Sequence, residues 1–260
     1  MSLRDIIIAE AIVFEGDHRK ILNALTSKTY MDELKAIEVC KSLKCNAITI
    51  MDKEYPEYLR HMYRPPLVLF YYGDISLIEK PFNCLGVVGT REPSELKRGV
   101  TYDVVKDVCK DYIIVSGMAK GIDRVAHKSA IDNGGKTIAI LGSGIDVCYP
   151  SENEDIYEEI KHNHLLLSEY PNLVTPNQDH FPFRNRLIAM LSKGILVTES
   201  AIRSGTSITV NFALMYGRDV MCVPSNDLNN SGCNAFIKQG AALVENAFDI
   251  RNIMDSGKLL

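Results

Sequence analysis

The sequence predicts an α/β protein built on a doubly wound, mostly parallel sheet, preceded by a small helical segment. Three observations lead there. From Leu67 onward, short β-rich runs alternate with helix-length segments, the repetition that produces a parallel sheet. Most of these runs are continuously apolar, which suits strands covered on both faces. The turns after them are rich in Gly, Ser, Thr and charged residues. In such a sheet the carboxyl ends of the strands share one edge, and ligands bind there.

Residues 1–64 read as helical. Ile6, Ile7, Ala9, Glu10 and Val13 are spaced for a first short helix, and Ile21, Leu22 and Leu25 for a second. Leu34, Ile37, Val39 and Leu43 mark a third, with Lys41 and Lys44 in its last turn. Tyr55-Pro56 opens another, which Pro65 and Pro66 stop. The boundary is expected at residues 64/65. Strands are then expected at 67–72, 84–88, 112–115, 137–141, 165–168, 195–198 and 219–223. Helices are expected at 94–110, 122–133, 152–162, 183–191, 206–216 and 233–239.

Composition narrows the function. The chain has 260 residues, 46% apolar and 24% charged, an ordinary globular balance that can form a sizeable core. Lys and Arg total 29 against 33 Asp and Glu, a formal charge of -4, so a basic tail that coats nucleic acid is excluded while a local basic patch is not. No apolar window approaches a membrane span, and Asp5 and Glu10 interrupt the apolar start, which therefore does not read as a signal peptide. The seven cysteines form no CxxC, which points to reduced thiols in a cytoplasmic protein and away from zinc.

The strand-end turns carry the chemistry. Ser116, Gly117, Met118, Ala119, Lys120 and Gly121 make a glycine turn ahead of a helix, where free N–H groups and a lysine suit a phosphate or only a tight turn. Gly89-Thr90-Arg91 places an arginine at the first strand-to-helix turn, and Ser94 is a candidate cap for the following helix. Gly142-Ser143-Gly144 approaches a dinucleotide fingerprint, but Val147 and a following Tyr-Pro argue against NAD. Gly135-Lys136-Thr137 lacks the first glycine of a phosphate loop and runs from helix to strand. Ser204, Gly205 and Thr206 open a helix and favour an anion. Arg184, Asn185 and Arg186 follow the aromatic run His180 to Phe183. Bases stack on such rings while guanidinium groups neutralise phosphates, and the two arginines are expected not to face the core together. Asp123 and His127, four apart, read as a structural hydrogen-bonded pair. Glu199 is a candidate ion-pair partner for Arg186.

Taken in order, GVVGTREPS (86–94), IVSGMAKGIDRVAHKSAIDNGGKTIAILGSGIDVCYPSEN (114–153), LLSEYP (166–171), HFPFRNRLIAMLSKGILVTESAIRSGTSITVNFALMYGRDVMCVPS (180–225) and SGCNAFIKQGAALV (231–244) resemble the DNA-processing protein A (DprA/Smf) family over about residues 53–250. The resemblance implies an extended Rossmann domain without catalytic activity or cofactor. It implies binding and protection of single-stranded DNA, loading of RecA recombinase during natural transformation, and a homodimer. Carried onto this chain, it assigns strand binding to Arg91, phosphate contact to the turn from Ser116 to Gly121, and the aromatic and RNR positions to Phe181, Arg184, Asn185 and Arg186. Gly89, Ser94, Gly142, Gly144 and Ser204 to Thr206 complete the expected rim. Dimerisation is expected through residues 234–244, and residues 1–64 as a shortened sterile-alpha-motif-like domain. Four cations, Arg91, Lys120, Arg184 and Arg186, would give a slope of log affinity against log salt of about -3, at roughly 0.7 per phosphate. Two other readings remain: a nucleoside-monophosphate phosphoribohydrolase-like enzyme acting through Glu199 and Arg186, and a partner-binding scaffold.

Overall fold

The computed structural model of the chain describes residues 3–79 and 83–256. Among them, nine strands form one sheet: β1 (Asn46–Thr49), β2 (Val68–Gly73), β3 (Cys84–Val88), β4 (Ile113–Ser116), β5 (Thr137–Ile140), β6 (Leu165–Ser168), β7 (Gly194–Val197), β8 (Asp219–Cys222) and β9 (Ala242–Leu243). Their order is β1-β2-β6-β5-β4-β3-β7-β8-β9. From β6 to β9 every neighbouring pair is parallel. The mostly parallel, doubly wound class is therefore what the chain adopts.

The apolar runs cover both faces, as their continuity required. On β3, Cys84 and Val88 face one side, while Leu85 and Val87 face the other. The same alternation separates Ile195 and Val197 from Leu196 on β7, and Val220 and Cys222 from Met221 on β8. On the first face lie α8 (His180–Leu191), α9 (Thr206–Met215) and α10 (Gly232–Lys238), through Leu187, Ile188, Val210, Ala213 and Cys233. On the second lie α5 (Glu95–Val108), α6 (Ile122–Asp132) and α11 (Ala247–Asp255). Beyond them α7 (Glu154–Asn163) and α1 (Leu3–Val13) cover β2, β5 and β6 through Ile156, Ile160, Ile7 and Ile8.

Successive strands β3, β4, β5 and β6 step outward in one direction. The chain then returns through α8 and lays β7 on the other side of β3, with Leu85 opposite Ile113's neighbour Ile114 on one flank and Gly194 on the other. The strand order reverses between β3 and β7, and a crevice opens outside their carboxyl ends, the usual ligand position in such sheets.

Four features differ from the sequence expectation. Residues 46–49, within the segment read as helical, form edge strand β1, paired antiparallel to β2. Strand β2 itself runs antiparallel to β6 instead of joining the parallel set. A short 3-10 turn, Ile75–Ile78, follows it, and among the described residues no crossover helix of the kind a parallel connection uses precedes β3. The two-residue β9 and the nine-residue α11 were not expected. The second had a legible signal, since Asn246 and Asp249 form a reciprocal capping box. The other early helices are α2 (His18–Ser27), α3 (Glu33–Cys40) and α4 (Glu57–Arg60), close to where periodicity placed them.

Candidate functional site

A cleft of about 640 Å³ lies over the reversal point. It is lined by buried Val88 and Ile188, by Arg91 and Phe181, and by Gly205 and Thr206. Three turns expected to share an edge therefore meet: the one after β3, the start of α8, and the β7-to-α9 connection. A smaller apolar recess beside it brings in Gly117, Lys120 and Tyr149.

The Arg91 turn is pinned from both neighbours. Thr90 N–H donates to Glu199 O at 2.8 Å, and Ile122 N–H donates to Thr90 O at 3.1 Å. The second bond needs Gly121 at φ +76, where a side chain would be strained and would meet Thr90 O. Ser94 caps α5, its hydroxyl accepting from Lys97 N–H at 3.3 Å, while its own N–H donates to the Glu199 carboxylate at 2.8 Å. Arg91 is left exposed, without an ion pair among the described residues, its guanidinium 5.5 Å from the centre of the Phe181 ring. Phe181 in turn lies 5.7 Å from Tyr149, tilted by 34°. Gly142 makes room for it: a Cβ there would come within 2.6 Å of the ring. Tyr149, 45% exposed, was not among the expected site residues. Its Tyr-Pro context was visible, but only the tertiary fold sets it against Phe181. In the same cleft the backbone N–H groups of Gly205 and Thr206, at the start of α9, have no partner among the described residues. The Ser204 hydroxyl bonds Ser200 at 2.8 Å.

The glycine turn from Ser116 to Gly121 corrects the sequence reading. Its anion is internal. The Asp123 carboxylate accepts from Gly117 N–H at 3.1 Å and from Ala119 N–H at 3.3 Å, so these donors are not open to a phosphate. Ser116 is buried and donates to Val87 O at 2.7 Å, and the Met118 side chain is fully buried. Lys120 is exposed but paired with Glu152. His127 is not bonded to Asp123 as expected: its Nδ1 faces Thr137 Oγ1 at 2.7 Å. Thr137 gives its single hydroxyl proton to Ile114 O, so His127 Nδ1 must be the donor and Nε2 the bare nitrogen. Gly144 serves the chain itself, donating to Val174 O at 2.7 Å.

The two arginines of α8 are also corrected, because both are buried. Arg184 is 4% exposed and donates to Gly117 O at 2.6 Å and to Ile140 O, closing the carboxyl ends of β4 and β5. Its charge faces Asp123. Burial pushes the Asp123 carboxyl up, against the pull of Arg184, and brings the Arg184 guanidinium down to about 10, so that it stays charged at neutral pH. Arg186 is wholly buried and holds both Glu169 oxygens, at 2.5 and 2.6 Å. It also donates to Arg64 O at 2.9 Å and stacks 3.7 Å from the Phe183 ring centre. The carboxylate partner is thus Glu169, not Glu199, and the Glu199–Arg186 pair through which an enzyme reading ran is not assembled. Pro182 stands in the first turn of α8, where a missing N–H costs nothing, so the helix begins at His180 and not at Phe183.

Residues 46–255 match the family described as DNA recombination-mediator protein A. The chain is 41% identical over 209 residues to the DNA processing protein DprA of Streptococcus pneumoniae, covering 80% of this chain and 73% of that one. The X-ray structure of DprA from Streptococcus pneumoniae superimposes with a TM-score of 0.79 at 34% identity, covering 96% of this chain and 93% of that one. DNA processing protein A from Helicobacter pylori, whose structure is described for its single-stranded DNA binding mode, gives 0.72 at 27% identity, over 84% of this chain and 97% of that one.

Proposed function

Because the chain belongs to the DNA recombination-mediator protein A family, we propose that it binds single-stranded DNA along the cleft at the β3–β7 reversal and passes the strand, chemically unchanged, to a RecA-type recombinase in the cytoplasm. The observation that carries this reading is Arg91: an exposed guanidinium, without an ion pair among the described residues, beside an aromatic pair and in one cleft with the start of α9. Cation, ring and helix start are what a strand needs for phosphate and base together. No helix among the described residues is long and apolar enough to cross a membrane.

With Arg184 and Arg186 committed internally, two cations remain for phosphates, Arg91 and Lys120. The expected salt slope is then about -1.4, at roughly 0.7 per phosphate, and not -3. Fluorescence anisotropy with labelled oligothymidine across a salt series tests it. Arg91→Glu is expected to weaken binding at least about tenfold on every sequence, since phosphates carry no sequence information. Unchanged binding by that variant, or a flat salt series, overturns the assignment. Incubation with AMP is expected to release no adenine. We place the dimer contact at residues 234–244. There β9 is the last strand of the sheet, and Leu243 is 49% exposed on it. Leu243→Glu is expected to convert the dimer to monomer in light scattering.

A further inference from the structure

The turn that joins α4 to β2 carries a strained arginine. Arg64 sits at φ +49, in the left-handed region, directly before Pro65. A side chain is disfavoured there, the following proline restricts the residue further, and glycine is the ordinary occupant. The backbone is held by α8: Arg186 donates to Arg64 O at 2.9 Å through Nη2 and at 3.3 Å through Nε, and Glu169 fixes Arg186 in turn. These bonds use only the carbonyl of Arg64, so they would hold a glycine equally well. The side chain forms no ion pair among the described residues. Its guanidinium is exposed, 5.2 Å from the centre of the Tyr63 ring, and that ring is 53% exposed. A backbone outlier held by its neighbours, with an unused cation on it, points to a ligand.

The turn stands next to the cleft, across one helix. Phe181, Pro182 and Asn185 line the cleft, while Phe183 and Arg186, on another flank of α8, meet each other and the Arg64 carbonyl. An α-helix with its side chains is only about 10–12 Å across. We propose that Tyr63 and Arg64 form a second contact site for single-stranded DNA, reached by a strand that leaves the cleft over Pro182. The Tyr63 ring stacks one base and Arg64 neutralises the adjoining phosphate, the pairing of ring and cation that an unpaired strand takes. Arg186 touches no DNA in this arrangement; it is the strut beneath the turn.

The inference rests on the single-strand reading above, and strand length separates the two. Anisotropy would compare labelled oligothymidine of about 4 and about 15 nucleotides, the range of site sizes for such grooves. The chains compared are the wild type, Arg64→Gly, Tyr63→Ala and Arg91→Glu. Arg64→Gly removes the cation where the backbone favours glycine, so it is expected to melt as the wild type does. Arg64→Gly and Tyr63→Ala are each expected to weaken the long strand, the second about tenfold, the scale of one stacked base, and to leave the short strand unchanged. The salt slope of the wild type is expected at about -2.1 on the long strand against the -1.4 of the cleft alone, at roughly 0.7 per phosphate, and Arg64→Gly is expected to abolish that difference. Arg91→Glu is expected to weaken both lengths. Unchanged binding of the long strand by Arg64→Gly and Tyr63→Ala, or equal losses on both lengths, overturns the second site while leaving the cleft reading in place. Failure of the wild type to bind the long strand overturns both.

Discussion

The turn after β3 and the first turns of α8 each carry arginine beside an aromatic ring, and they use it in opposite ways. Arg91 projects into solvent over Phe181 and forms no ion pair among the described residues. Arg186 lies over Phe183 with both Glu169 oxygens and a backbone carbonyl around it, wholly buried. The two settings differ in solvent access. Arg91 sits on a loop at the sheet edge, whereas α8 crosses the lower part of the cleft and presses its arginines against strand ends. A buried guanidinium must be paired and hydrogen-bonded, or its desolvation is not offset. The lesson is that an arginine beside an aromatic marks a ligand site only where its donors are left over.

The contrast can be broken most forcefully at Arg186. Arg186→Ala leaves Glu169 buried without its partner and is expected to cost about 3–5 kcal/mol of stability, read by denaturant unfolding. Equal stability would mean that the pair is not a structural element. The opposite signature is expected for Arg91→Glu: lost affinity with an unchanged melting temperature. A melting shift as large as that of the Arg186 variant would erase the distinction between the two regions.

His127 probes the buried side by pH. Burial holds its ring down at about 3 against an ordinary 6.5, so between these values the unfolded chain binds a proton that the folded chain refuses. Its contribution is complete above pH 6.5 and declines as pH falls towards 3, by up to about 1.4 kcal/mol per pH unit. His127→Asn, which keeps a donor for Thr137, is expected to flatten that part of the stability profile; an unaltered profile assigns the acid sensitivity elsewhere. The smallest effect is expected at the rim. Glu152→Gln frees Lys120 from an exposed ion pair, and affinity for oligothymidine should rise about twofold at low salt. A fall would show that Glu152 itself supports the strand.

Much of the fold was readable because its causes are local. The runs at 84–88, 138–141 and 165–167 carry no polar side chain, a pattern that suits strands covered on both faces. Ser94 announced a helix start that it does cap. Strand β1 was not readable: Asn46–Thr49 is four residues long, and its pairing with β2 is a long-range event. The site divides the same way. The sequence could say that turns bearing Arg91, Lys120 and Ser204 to Thr206 fall at one edge, since the strands of a parallel sheet run the same way and share the edge at their carboxyl ends.

Which donors stay free was decided only in three dimensions. The N–H groups of Gly117 and Ala119 are claimed by Asp123, six and four residues along the chain respectively. Arg184 is claimed by carbonyls 67 and 44 residues away, and Arg186 by a carboxylate 17 residues away. Side-chain spacing along α8 does not tell whether an arginine meets water or a strand end. By itself the sequence determined the layers, the strand ends and the chemical types gathered at one edge, because periodicity and turn chemistry act between near neighbours. The tertiary structure decided which of those groups remain available to a strand of DNA, because desolvation and pairing depend on residues far apart in the chain.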